Sequence, residues 1–116
     1  RRETLRFGIV YHTPTEKLEK IEDLARAAVA TQPGCELVRC VMVAFGPSSL
    51  DHELLFVHEG LDAEALFHKR AALMTDLLKR FAEEGIQFAY PTQTTYTAAP
   101  DGTLVMPYAT PGEARR

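Results

Sequence analysis

Histidines, cysteines and paired carboxylates are the side chains here that could carry chemistry. His12, His52, His58 and His68 fall in separate stretches, with no H-E-x-x-H pattern and no close Cys/His spacing. They read as solvated or structural imidazoles, and no metal site is expected. Cys35 and Cys40 are too far apart for a C-x-x-C redox or zinc pair, and so few thiols make no disulfide framework. A reducing compartment is the expectation. Cys35, beside Gly34, reads as a loop cysteine with nothing basic nearer in sequence than Arg39 to activate it. Ser48 and Ser49 follow Gly46-Pro47 but lack the G-x-S-x-G elbow that exposes a nucleophile, so they read as a hairpin turn. Glu22-Asp23 and Glu83-Glu84 are neighbours on helical segments, where adjacent side chains diverge, which makes them solvated faces rather than acid/base pairs. The glycines occur singly, so neither a phosphate-cradling loop nor a dinucleotide fingerprint is present. The sequence predicts no catalytic residue, no cofactor and no enzyme.

Composition narrows the field further. A chain of 116 residues, 46% hydrophobic and 25% charged, suits one globular domain with a modest core. A net charge of −3 offers no footprint for gripping phosphate backbones, so a nucleic-acid partner is not expected. The Phe7/Tyr11 and Phe56 aromatics do not reproduce the RNA-binding sheet motif, and they read as core or subunit-contact residues. The longest apolar run, residues 40–45, is far short of the ~20 that a membrane-spanning helix needs. The chain opens on Arg1-Arg2-Glu3 and reads as a piece of something longer.

The elements that would position these side chains alternate in type. Residues 5–11 are rich in aromatic and β-branched residues, with Leu5, Phe7, Ile9 and Tyr11 on one face of a first strand. Thr13-Pro14-Thr15-Glu16 predicts a helix start, with threonine as cap, proline at the first helical position and glutamate reaching back. Leu18, Ile21, Ala25, Ala28 and Val29 form its apolar stripe until Gln32-Pro33-Gly34 ends it. Residues 39–45 and 53–59 predict an antiparallel hairpin around Gly46-Pro47-Ser48-Ser49. A second helix is predicted to open at Asp62, with Leu66, Phe67, Met74, Leu77, Leu78 and Phe81 as its buried face. Gly85 suits a left-handed C-terminal cap that lets Ile86 touch Phe81, and residues 87–89 predict a short fourth strand.

The order β-α-β-β-α-β with two amphipathic helices predicts an α+β, ferredoxin-like sandwich, complete by residue 91. The stretch beyond Pro91 is surplus to it. Thr92, Gln93, Thr94, Thr95, Tyr96 and Thr97 form a polar, sheet-forming segment outside a finished sheet, and another chain is the expected partner for its backbone. Residues 92–106 are thus expected to be an oligomer-contact segment, with a short β piece at 104–106, and residues 107–116 a mobile tail.

Three stretches carry a resemblance to a known family. They are Phe45-Gly46-Pro47-Ser48-Ser49-Leu50-Asp51, the helix at 66–84 and, above all, Glu84-Gly85-Ile86-Gln87-Phe88-Ala89-Tyr90-Pro91-Thr92-Gln93-Thr94. Together they resemble the C-terminal cytoplasmic domain of the small-conductance mechanosensitive channel family, over roughly residues 4–97. The family usually has a second proline where Ala89 stands, whereas Tyr90-Pro91 is kept. The resemblance implies the lower part of a hollow cage on the cytoplasmic side of the inner membrane, in a homo-heptameric channel that releases ions and small solutes under tension. It also implies that the segment after the proline joins a small intersubunit β-barrel, making Tyr90, Pro91 and residues 92–97 the contact residues. The pore helices of the family are not found in this chain. The alternative function is a free-standing ferredoxin-like module that binds a small effector, a reading that rests on fold analogy alone.

Overall fold

The structure is a computed structural model that describes residues 1–90, together with the backbone of 97–98 and 104–105. The expectations for residues 91–96, for the 99–103 turn and for the 107–116 tail fall outside the described residues. In chain order the elements are β1 (Arg2–Ile9), α1 (Thr15–Leu18), α2 (Ile21–Ala30), β2 (Cys35–Phe45), β3 (Leu50–His58) and α3 (Ala63–Glu83). Two short strands, β4 (Thr97–Ala98) and β5 (Leu104–Val105), pair with each other in an antiparallel sense.

The chain is α+β, built on a three-stranded antiparallel sheet in the order β1-β3-β2. β3 is central, and its residues alternate between buried and half-buried except at Leu54-Leu55-Phe56, where three in a row are buried, because one face packs the core and both edges are covered. Its turn to β2 is the expected one: the Gly46 N–H donates to the Ser49 carbonyl at 2.7 Å. Gly46 is required there, since a Cβ would lie 2.9 Å from the Ser49 carbonyl oxygen. β2 starts at Cys35, four residues before the expected start, and carries register shifts at Leu37/Arg39 and Met42/Ala44. Each shift inserts one extra residue, Val38 and Val43, that has no cross-strand partner.

Three expectations are corrected. The first strand runs Arg2–Ile9 and not 5–11, so Tyr11 lies beyond it and is exposed, its hydroxyl donating to the Gly46 carbonyl. The first helix is two helices: the Thr13 hydroxyl donates back to the Val10 carbonyl at 2.7 Å and caps nothing, and the chain turns between α1 and α2. The apolar stripe survives that break, since Ile21, Ala25, Ala28 and Val29 are all buried. The third correction concerns the second long helix, α3, whose buried residues are Leu73, Leu77 and Phe81. Phe67, Met74 and Leu78, expected inside, are 56%, 46% and 55% exposed.

One hydrophobic core joins the layers: Ile9 from β1, the α2 stripe, Leu37 and Cys40 from β2, Leu50, Leu54 and Phe56 from β3, Leu73, Leu77 and Phe81 from α3, and Ile86. Each fully buried large side chain contributes about 1.5–3 kcal/mol relative to exposure. The expected fourth strand at 87–89 reduces to a single bridge, Phe88 opposite Ile9, with the Val10 N–H donating to Gln87 and the Ala89 N–H to Gly8.

Candidate assembly surfaces

The exit of the chain toward Tyr90 is built from α3 onward. Asp62 caps the helix, its carboxylate accepting the Ala65 N–H at 2.8 Å. At the other end Gly85 takes φ 74°, with its N–H on the Ala82 carbonyl and the Ile86 N–H on the Phe81 carbonyl at 2.9 Å. These two bonds satisfy carbonyls that the helix end would orphan, and they turn Ile86 into the core. Glu84, beside this cap, accepts from Lys20 at 3.3 Å and Lys17 at 3.4 Å. The hydrogen bond and charge of Lys20, then those of Lys17, hold its carboxyl below the usual range. The end of α3 is thereby tied to α1. Phe88 then stacks on Phe81, ring centroids 5.1 Å apart, and meets Phe7 edge-on at 5.5 Å. Two residues on, Tyr90 is 71% exposed.

Of the sequence-derived contact residues, the structure therefore places Tyr90 at the surface and describes the backbone of Thr97 within β4. Pro91, Thr92, Gln93, Thr94, Thr95 and Tyr96 lie outside the described residues. Sequence reasoning missed two exposed apolar patches on the body of the domain. One is the α3 stripe of Phe67, Met74 and Leu78; the other is the end of β2, where Val41, Met42, Val43 and Phe45 stand out, Phe45 at 80% exposure. Exposed apolar side chains in such numbers make these two places candidate surfaces for another protein. The signal for the α3 patch was in the sequence, as an apolar arc too wide for one buried stripe.

The chemistry-bearing side chains do not converge. Among the described residues no group of three or more His, Cys, Asp or Glu stands close enough to hold a metal ion. His52 and His58 are buried on β3; His52 stacks flat on Phe7 and donates from Nδ1 to the Leu50 carbonyl at 3.0 Å. Burial pushes the His52 pKa down, opposed by that bond and by Asp51. Neither ring nitrogen of His58 has a partner among the described residues. Cys40 is buried, and desolvation together with Glu22 pushes its thiol up to about 12, so it is a core residue and not a nucleophile. Cys35 is the first residue of β2 and not a loop cysteine; burial raises its pKa against the pull of Lys69. Ser49 donates to the Asp51 carboxylate at 2.5 Å within the turn.

What this arrangement defines is a packed α+β domain with exposed apolar surface, and the family it matches is one of channel domains, not of enzymes. The chain belongs to the mechanosensitive ion channel MscS C-terminal family, whose family model matches residues 3–88. The match ends at Phe88, the residue that bridges to Ile9. No curated protein matches the chain. No helix of the described residues is long and apolar enough to cross a membrane.

Proposed function

We propose that this chain is the cage and assembly domain on the cytoplasmic face of a mechanosensitive channel, below a pore that other parts of the full-length protein supply. The observation that carries this reading is the family match over residues 3–88. In this reading the core is the ferredoxin-like β-α-β-β-α-β arrangement. The support is the order bridge-β1-β3-β2, all antiparallel, in which the bridge at Phe88 stands where a fourth strand would lie. Residues 90–97 make contact between subunits, and seven copies close the cage. The exposed position of Tyr90 supports this, because it leaves an aromatic side chain open to a neighbouring subunit. The apolar patches on α3 and β2 supply further area for neighbours. The channel so formed passes ions and small solutes under tension and protects cells from osmotic down-shock.

The test is a recording from membrane patches in which the full-length parent protein is the only tension-gated channel. Tension-activated currents, together with survival of osmotic down-shock, are expected. A parent protein that reaches the membrane and passes no current under lytic tension would overturn the proposal.

A further inference from the structure

β1 is covered by β3 along its whole length, from Arg2 opposite Val57 to Ile9 opposite Leu50. On its other side, the described residues cover only its end, where Gly8 and Val10 bond to Ala89 and Gln87. Backbone groups alternate in direction along a strand, so Arg2, Thr4 and Arg6 turn their N–H and C=O groups to that same open side. A strand continuing the register of Phe88 opposite Ile9 would bring Pro91 to Arg6. The ladder needs an N–H there, and proline has none, so a strand in that register would lack its bond to Arg6.

The open edge borders an apolar cavity of about 240 Å³, lined by Leu5, Phe7, Met74, Leu77, Leu78 and Phe88, with Arg6 at its side. Met74 and Leu78 belong to the exposed α3 stripe, so the helix overhangs a space that no described strand fills. A strand added to the β1 edge would send alternate side chains to opposite faces. One set would lie under Met74 and Leu78. The other would lie beside Arg2 and Arg6.

Charge selects the occupant. Arg6 pairs with Glu53 at 2.9 Å but keeps 75% of its side chain exposed, and Arg2 is exposed as well. Arg70, further along α3, is engaged by Glu3 at 2.9 Å. A second copy pairing its β1 antiparallel in the register of fullest overlap would set Arg2 against Arg6 of the other copy, and like charges directly opposed disfavour that ladder. We propose that the β1 edge and the α3 groove bind an extended peptide strand of another chain, with apolar residues facing α3 and acidic residues facing Arg2 and Arg6. This goes beyond the assembly reading and rests on β1 and α3 alone. Main-chain bonds to Thr4 and Arg6 supply affinity, and the groove and arginines supply the side-chain pattern.

The probe is a capped hexapeptide, Val-Glu-Leu-Glu-Val-Glu, titrated into the full chain while amide exchange is followed at Thr4 and Arg6. Binding that protects both amides is expected, and a peptide with lysine at each glutamate position is expected to bind about ten-fold more weakly or worse. Leu78→Glu alters an exposed residue, so the fold is retained, and it is expected to weaken the acidic peptide about ten-fold. Arg2→Glu is expected to narrow or reverse the preference for the acidic peptide. Equal affinity for both peptides, no binding of either, or binding without a change at Thr4 and Arg6 overturns the proposal. Protection of those amides in the free chain also overturns it, since its own tail or a second copy would then occupy the edge.

Discussion

Phe88 stands opposite Ile9 in an isolated antiparallel bridge, and this bridge is all of a fourth strand that the described residues form beside β1. Its hold comes less from the ladder than from the rings, Phe88 on Phe81 and against Phe7. Phe88→Ala removes those contacts from a partly buried site and is expected to cost about 2–3 kcal/mol. Chemical denaturation checks the cost. Faster amide exchange at Ala89 and Val10, without faster exchange in β3, would check that the loss is local.

The two stripes of α3 make opposite forecasts for adjacent residues. Leu73 is fully buried and Met74 is half-exposed. Leu73→Ala should lose about 2–5 kcal/mol, while Met74→Ala should stay within about 0.5 kcal/mol of the parent. Equal losses in urea melts would mean that the helix is rotated from the orientation described.

Gly85 has φ 74° and nothing within 4 Å of where a Cβ would sit. Any penalty of a side chain there is therefore backbone strain and not collision. Gly85→Ala is expected to cost about 1 kcal/mol, and Gly85→Asn clearly less, because asparagine tolerates the left-handed region. Denaturation midpoints of the two variants decide this.

Buried His52 imposes a pH dependence whose sign follows from its lowered pKa. Below the ordinary histidine value of about 6.5 the unfolded chain takes up a proton that the folded chain still refuses, so stability falls with acidification. The loss begins as pH drops through that value and is complete below the folded pKa. Glu84, whose pKa is also lowered but which is a carboxylate, stabilises the charged form and loses its contribution only in the more acidic carboxylate range. His52→Gln should therefore flatten the stability profile below about pH 6.5 relative to the parent. Unchanged curvature there would count against a neutral buried imidazole.

Local signals in the sequence were read well where one residue type answers one backbone need. The turn at Gly46-Pro47-Ser48-Ser49, the cap at Asp62 and the left-handed Gly85 each stand where side-chain chemistry placed them. Signals that depend on tertiary choice were not legible. Thr13 has two uses for its hydroxyl, a cap or a bond back to Val10, and only the packed structure selects the second. The apolar arc of α3 spans both Leu73 and Met74, so its pattern leaves the helix free to rotate until β1 and α2 fix which stripe is buried. The bulges of β2 leave no pattern in composition, and the strand consequently begins earlier than alternation alone suggests. Of the contact segment, the exit through Gly85 and Ile86 was legible because it obeys capping rules; the α3 patch left a trace in its over-wide apolar arc, whereas the β2 patch left none, because exposure there is a property of the whole surface.

The central claim is that residues 92–97 join subunits while residues 1–90 fold without them, and Thr95→Pro tests it most directly. A proline there removes one backbone donor in every copy and replaces none of the core side chains of the described residues. The measurement is native mass spectrometry of the full-length parent protein in detergent, paired with the melting temperature of this chain alone. The expected result is fewer and weaker heptamers from the variant, with the melting temperature of the isolated chain nearly unchanged. Undiminished heptamers, or a loss of several kcal/mol in the isolated chain, would contradict the account.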